Sequence, residues 1–431
     1  MDEENWERAE MYAKLVRSFV IKNEKSPKIE KSTYHQIQTS RKSRILFPNL
    51  REIYCDGKWE QICLLLSPSL RRVVILEDMF HDSSSPVIST FINALPKICP
   101  DVQSLEAYAN LPSSALRSVQ KLQKLQYLGL EFDCEASQSS NIEHMPGISL
   151  LPNLRLLKLF GAIGSDSALQ KSLSTLYSPK SFSALQQLDI YGSLESIANW
   201  LPSFISPNLT TFTAEIEVTW TDGDESDDDH EIPQLCYQLC DTLVKHARSP
   251  SSSLRTLLFI GRSPEFLPTD VEAFQPLLGL HGLENLVFGI PLSEFDDQTL
   301  IKWAKAWSNL KTFKAPFHGG SITLSGVVTL LQLCRDLKNL ALEFDATKLD
   351  FIPEIPPTPP LRHGLKDWDI SGSQVTSNSL GPVIAVLSWV FLDMWDVKCR
   401  SQVEGEAARA SEGLLHSLER IADAPGRDLE D

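Results

Sequence analysis

Cys236, Cys240 and His246, with His230 upstream, are the side chains whose types and spacing come nearest to a reactive set, because thiolates and imidazoles together hold zinc tetrahedrally. The two cysteines, however, lie four residues apart beside Leu235, Leu239 and Leu243, the spacing of one helical face. Packing as inert core thiols is the expectation there. His318 stands next to Gly319 and Gly320, with no nucleophile or carboxylate that sequence assigns to it. A glycine-rich phosphate loop followed by Lys-Ser or Lys-Thr does not occur, nor does His-Glu-x-x-His. The expectation is a protein that is not an enzyme, with no catalytic, cofactor-binding or metal-ligating residues and no cofactor. Recognition is the other chemistry open to side chains, and here the sequence is richer. Tyr54, Leu76, Tyr108, Glu131, Phe160, Tyr191, Glu215 and Ile260 each follow directly on a short apolar phrase, and Tyr127 and Leu156 sit earlier within theirs. Amphipathic rings with few charges among them make the contacts that dominate protein interfaces.

These residues share a surface only if the phrases before them are strands laid side by side. The phrase is Leu-x-x-Leu-x-Leu or an apolar equivalent, beginning at Leu50, Leu70, Val102, Leu125, Leu154, Leu185, Leu209, Leu254, Leu283, Leu310, Leu337, Leu365 and Met394. Its last two apolar residues are two apart, the period of a strand with one buried face. Apolar residues at helical spacing intervene: Phe295, Leu300, Trp303, Ala304 and Trp307 lead to Leu310, and Leu324, Val327, Val328, Leu331 and Cys334 lead to Leu337. The commonest separation of starts is 27 to 29 residues, inside the range of leucine-rich repeats. Such a unit buries its apolar face only against its neighbours, and crossovers of this length join parallel strands. The expected fold class is α/β, an irregular leucine-rich-repeat solenoid of horseshoe form, with a parallel concave sheet and helices on the convex side. In that register Tyr54, Leu76, Tyr108, Tyr127, Leu156, Phe160 and Tyr191 form the protein-binding set on the concave face. Tyr108, Glu131, Phe160 and Tyr191 make one row, on strands about 4.8 Å apart. The later strands present Lys314, Glu343, Asp367, Asp369 and Ser371, a polar and mostly acidic half.

The 431 residues divide into an N-terminal cap and connector (1–45), the solenoid (46–400) and a C-terminal helix and tail (401–431). Trp6, Ala9, Tyr12, Ala13, Val16 and Phe19 predict an amphipathic helix over residues 5–20 that covers the first repeat. Residues 22–43, rich in Lys and Ser, read as a polar connector, and 402–422 as a second capping helix. Seven acidic residues crowd the loop at 221–231, and prolines fill an insertion at 352–360; neither composition can join the stack. The net charge of −16, with no basic stripe on a predicted face, argues against nucleic acid as a partner. No apolar run reaches the length of a membrane span, and no signal peptide opens the chain. Eight cysteines scattered in apolar contexts read as reduced thiols, which places the protein in the cytoplasm or nucleus. Asn208-Leu209-Thr210 fits a glycan acceptor but falls on a buried repeat start, so the match is chance.

The chain resembles the repeat region of fungal F-box/leucine-rich-repeat proteins, of the set expanded in mushroom-forming basidiomycetes. The resemblance rests on Trp6, Tyr12, Ala13, Val16 and Arg17, on Leu46-Phe47-Pro48-Asn49-Leu50-Arg51, and on Leu66-Ser67-Pro68-Ser69-Leu70-Arg71. It continues in Asp296, Asp297 and Leu300, in Trp307-Ser308-Asn309-Leu310-Lys311, in Cys334-Arg335-Asp336-Leu337-Lys338, and in Val383 to Ser388 ahead of Phe391. It implies a substrate-recognition part of an F-box-like ubiquitin-ligase adaptor, whose repeats hold a protein target. Family members carry an F-box ahead of the Trp-Tyr-Ala-Val-Arg helix, and residues 1–45 lack its apolar pattern. Cullin-RING ligase subunits are therefore expected partners only if an F-box lies upstream. The alternative is a non-ligase leucine-rich-repeat scaffold or regulator, of inhibitor or GTPase-activating type. The Asn that usually follows the phrase is kept at Asn110 and replaced by Asp133, Ser193, His318 and Asp345, so irregular curvature is expected.

Overall fold

A phrase that buries alternate side chains and leaves its backbone free to pair sideways becomes a strand, and all thirteen phrases do so in the computed structural model. The structure describes residues 3–21, 45–56, 62–76, 86–108, 111–131, 144–161, 181–217, 231–247, 253–262, 268–316, 321–347, 364–376, 379, 381, 383–384 and 396–398. The connector at 22–43, acidic residues 221–230, the proline-rich 352–360, the helix expected at 402–422, and Asn110, Asp133, His230 and His318 lie outside them. Contacts divide the chain into two compact units, Met1–Leu209 and Thr210–Asp431.

In the first unit, β1 (Ser18–Ile21), β2 (Glu52–Asp56), β3 (Arg72–Leu76), β4 (Ser104–Tyr108), β5 (Tyr127–Glu131), β6 (Leu156–Phe160) and β7 (Gln187–Gly192) pair in chain order, each parallel to the next. Helices α1 (Glu3–Ala13), α2 (Pro86–Ile98), α3 (Ser113–Val119), α4 (Met145–Ser149) and α5 (Leu194–Phe204) alternate with them. In the second unit, β8 (Thr211–Ile216), β9 (Thr256–Gly261), β11 (Asn285–Gly289), β13 (Thr312–Ala315), β14 (Asn339–Leu342), β15 (Asp367–Asp369) and β16 (Asp396–Lys398) do the same. A separate parallel pair joins β10 (Thr269–Asp270) to β12 (Leu292–Ser293). Helices α6 (Glu231–Ala247), α7 (Asp297–Ala306) and α8 (Leu324–Leu333), with a 3-10 helix at Val271–Gly279, fill the connections. Each unit is thus a solenoid-like α/β stack on an open parallel sheet.

One turn recurs before the strands. The N–H of the first apolar residue donates to the carbonyl three residues earlier: Leu125 to Leu122, Leu154 to Leu151, Leu185 to Phe182, Leu310 to Trp307, Leu337 to Cys334. The residue ahead of each strand then offers its carbonyl to two successive N–H groups of the next repeat. Gln126 and Tyr127 donate to Gln103, Arg155 and Leu156 to Gln126, Lys311 and Thr312 to Glu284. Asparagines add a side-chain stitch, since the Nδ2 of Asn49, Asn153 and Asn208 donates to the carbonyls of Lys14, Gln123 and Ser183 at 2.8, 2.8 and 2.7 Å. Polar backbone that would otherwise be stranded at the strand starts is satisfied by the neighbouring repeat.

The helices bury the face the spacing predicts. Leu300, Trp303 and Ala304 are sequestered on α7, with Phe295 and Trp307 buried at its two ends. Asp296 and Thr323 cap α7 and α8 by accepting from the N–H groups of Thr299 and Gly326. Asp297 accepts from Thr323 N at 2.8 Å and Thr323 Oγ1 at 2.6 Å, fastening one helix to the next repeat. A Cβ on Gly326 would collide with that carboxylate, so a larger residue there would push Asp297 off its Thr323 contacts. Phe288 lies over Phe259 with centroids 5.6 Å apart and meets the edge of Phe274 at 4.8 Å, forming the aromatic centre of the second unit's core.

The N-terminus corrects the expectation. The predicted helix over 5–20 ends at Ala13, and Ser18–Ile21 is a strand, β1, paired with β2. Val16, Phe19 and Ile21 are themselves spaced three and then two apart, as in the repeat phrase; the three-residue step is common to helix and phrase, so the longer helical run masked it. The proposed apolar stripe does not cover a repeat as a buried face. Tyr12 is 56% exposed, and Trp6, Ala13, Val16 and Phe19 are only partly covered.

Candidate functional site

Strand alternation decides which side chains of the first unit leave the core. Leu105 and Ala107, Leu128 and Leu130, Leu157 and Leu159, Leu188 and Ile190 are buried, and their neighbours stand on the opposite face. Register arranges that face in three rows. At the strand starts run Glu52, Arg72, Ser104, Tyr127, Leu156 and Gln187; in the middle run Tyr54, Val74, Glu106, Gly129, Lys158 and Asp189. At the strand ends Asp56 pairs with Leu76, Leu76 with Tyr108 and Glu131 with Phe160, and Tyr191 closes the row. Tyr54, Leu76, Tyr108, Tyr127, Leu156, Phe160 and Tyr191 thus all stand on the outward face, as the sequence expects. Tyr54 shares the face but pairs with Val74, one row away from Leu76. Cys55, the third apolar residue of its phrase, is buried like the leucines elsewhere, so Asp56 is the true row member.

The aromatic rings meet across the strands. Tyr108 and Phe160, on strands separated by β5, lean together over that strand to a centroid distance of 4.7 Å in an edge-to-face geometry. Phe160 and Tyr191 follow at 6.2 Å. Gly129 leaves the middle of the face without a side chain, and an added Cβ would touch the Glu106 side chain at 3.4 Å. Glu106 anchors the polar part: its carboxylate accepts from the Tyr108 hydroxyl at 3.0 Å and lies 3.5 Å from the Arg72 guanidinium. Burial, followed by the nearby Glu106 charge, drives both the Tyr108 and Tyr127 phenols well above their ordinary range. They remain neutral hydrogen-bonding groups at physiological pH. Lys158 places its ammonium 5.7 Å from the centre of the Tyr127 ring and 3.8 Å from Asp189, which in turn accepts from Gln187. The surface is a half-buried aromatic cluster with a fixed polar margin, a composition suited to contact with another protein.

The second unit presents different groups. Its strand-start row is a polar ladder in which Asn285 donates to Thr256 Oγ1 at 3.0 Å and Asn339 to Thr312 Oγ1 at 3.2 Å. Lys314 and Asp367 are exposed, and Glu343, Asp369 and Ser371 are half-buried, on the face the sequence predicts. Burial and then the Asp369 charge push the Glu343 carboxyl up to about 7. A cleft of about 470 Å³ opens among Ser253, Arg255, Gly282, Glu284, Asn309, Lys311 and Asp336. Its cations are already matched, since Arg255 and Lys311 each approach Glu284 at 2.6 Å.

Cys236 and Cys240 are buried on α6 beside Leu239, Leu243 and Val244. Burial raises both thiols, Cys236 to about 12. His246 is exposed on the last turn of the helix. No group of three or more His, Cys, Asp or Glu side chains suited to a metal occurs among the described residues, and no described helix is long and apolar enough to cross a membrane. The stitching asparagines and the lysine over Tyr127 are the polar groups that sequence reasoning missed. Recurrence of Pro-Asn-Leu at 48–50, 152–154 and 207–209 was the available signal for the first. Compared with known proteins, the chain matches no family model and no curated protein.

Proposed function

We propose that the first unit's sheet face is a docking surface for a protein target, and that the chain is a leucine-rich-repeat interaction module. The observation that carries this reading is the Tyr108, Phe160 and Tyr191 cluster, three large rings held together on a face that the repeat itself does not need to bury. A stack of strands and helices satisfies its apolar requirement through the inward strand positions and the helix faces packed on them. Rings added on the other side contribute area for a partner with little conformational entropy to lose on binding.

The likeness to F-box-type repeat proteins extends the proposal: the captured protein is a substrate presented to a cullin-RING ubiquitin ligase. Proximity labelling in cells with the full-length protein identifies the target. Changing Tyr108, Phe160 and Tyr191 together to Ser is expected to abolish its capture while the melting transition persists. Undiminished capture by the triple variant, with the fold intact, would place the docking surface elsewhere. Recovery of the ligase's adaptor subunit in the same pull-down supports the ligase role; its absence removes that role and leaves docking standing.

A further inference from the structure

We infer that the aromatic cluster of the first unit receives a cationic side chain, so that the partner is a basic protein segment presenting an arginine or lysine to the strand-end row. The inference rests on the docking role proposed above and names the chemistry of its occupant.

Acidic residues outnumber basic ones on the face. Among the outward residues of β2 to β7, Glu52, Asp56, Glu106, Glu131 and Asp189 are acidic, and Arg72 and Lys158 are basic. Both bases are matched within the face, Arg72 by Glu106 and Lys158 by Asp189. Lys158 also shows how this surface holds a cation, with an aromatic ring on one side and a carboxylate on the other. The strand-end row contains the same ingredients in greater number: Tyr108, Phe160 and Tyr191 supply rings, and Asp56 and Glu131 supply carboxylates. That row contains no Lys or Arg. The opposite edge is richer in bases, because Arg17, Arg51 and Arg155 lie just ahead of the strands, with Arg71 there paired to Asp101. A basic side chain is therefore repelled from the strand starts and drawn to the strand ends, where aromatic faces reward a guanidinium more than a compact ammonium.

The probe is a fluorescent tetra-arginine peptide, titrated into the full-length protein. Changing Phe160 and Tyr191 together to Leu keeps apolar volume and net charge while removing the ring faces, and is expected to weaken tetra-arginine binding about tenfold. Glu131→Gln should weaken it severalfold and flatten its salt dependence, whereas Glu272→Gln, an equal charge change in the second unit, should leave it as it was. Tetra-lysine should bind less tightly than tetra-arginine, and tetra-glutamate not at all. Equal affinity for the unaltered and double-leucine proteins, each melting normally, overturns the inference, because it would show attraction to overall negative charge alone. The outcomes separate from those of the docking role. Loss of target capture in the triple-Ser variant, with full capture by Glu131→Gln and the double-leucine variant, keeps the docking face and rejects the cation. Full capture by the triple-Ser variant rejects both.

Discussion

The two units run the same backbone and turn different chemistry to solvent. Each repeats one turn hydrogen bond, one carbonyl that accepts twice, and one buried leucine-type row. The first unit nevertheless presents the rings of Tyr108, Tyr127, Phe160 and Tyr191, and the second presents Thr256, Asn285, Thr312, Asn339 and Glu343 with the aliphatic Leu258, Ile260 and Val287 but no outward aromatic ring on β9, β11, β13 or β14. Stability of a stacked repeat comes from the core positions and the stitches between neighbours, so the outward positions are free to specialise. Aromatic side chains on such a position are a cost to solubility unless something covers them. Hydroxyls and amides bonded in a ladder need no cover. That difference is the physical basis of the docking role proposed for the first face.

The sharpest way to break the contrast is to compare two phenylalanines, one inside and one outside. Phe288→Ala empties the aromatic centre of the second core and should cost about 3–5 kcal/mol in urea unfolding. Phe160→Ala removes a half-covered ring and should cost no more than about 1 kcal/mol. Equal losses would mean that Phe160 belongs to the architecture. A smaller effect concerns Glu343. Its carboxyl is raised from the ordinary 4.5 to about 7, so the folded chain binds that proton more tightly than the unfolded one. Stability from this group is present below about 4.5 and falls as pH rises to about 7. Glu343→Gln should abolish that slope and gain on the order of 1 kcal/mol at pH 8, since solvent still screens a half-buried carboxyl. An unchanged pH profile of melting would show that the site is more solvated than its geometry implies. The smallest effects test whether the units share their construction. Asn153→Ala in the first unit and Asn285→Ala in the second each delete one hydrogen bond between repeats. Both should cost about 0.5–1 kcal/mol, and a much larger loss at either would mean that the units are stabilised differently.

Much of this fold was legible because its signal is periodic. Thirteen apolar phrases became strands, and alternation alone placed all seven expected binding residues on the outward face. Failure came where two periods coincide or a residue type is ambiguous. Val16 and Phe19 fit a helix and a phrase equally well, and the backbone chose the phrase because Arg17 could offer its carbonyl to Arg51 and Glu52. Cys55 takes the buried third position of its phrase as leucine does elsewhere, which sets Tyr54 in the middle row and Asp56 at the strand end. Contacts that depend on how side chains lean, such as Tyr108 reaching Phe160 over β5 or Lys158 settling near Tyr127, leave no trace in a one-dimensional pattern. The site was therefore visible as a list of residues and invisible as an arrangement.

A photocrosslinking amino acid placed at position 160, and separately at position 314 on the other face, reports directly which surface meets the target. The account predicts a crosslinked target from 160 and none from 314. Crosslinking from 314 with silence at 160 would contradict it.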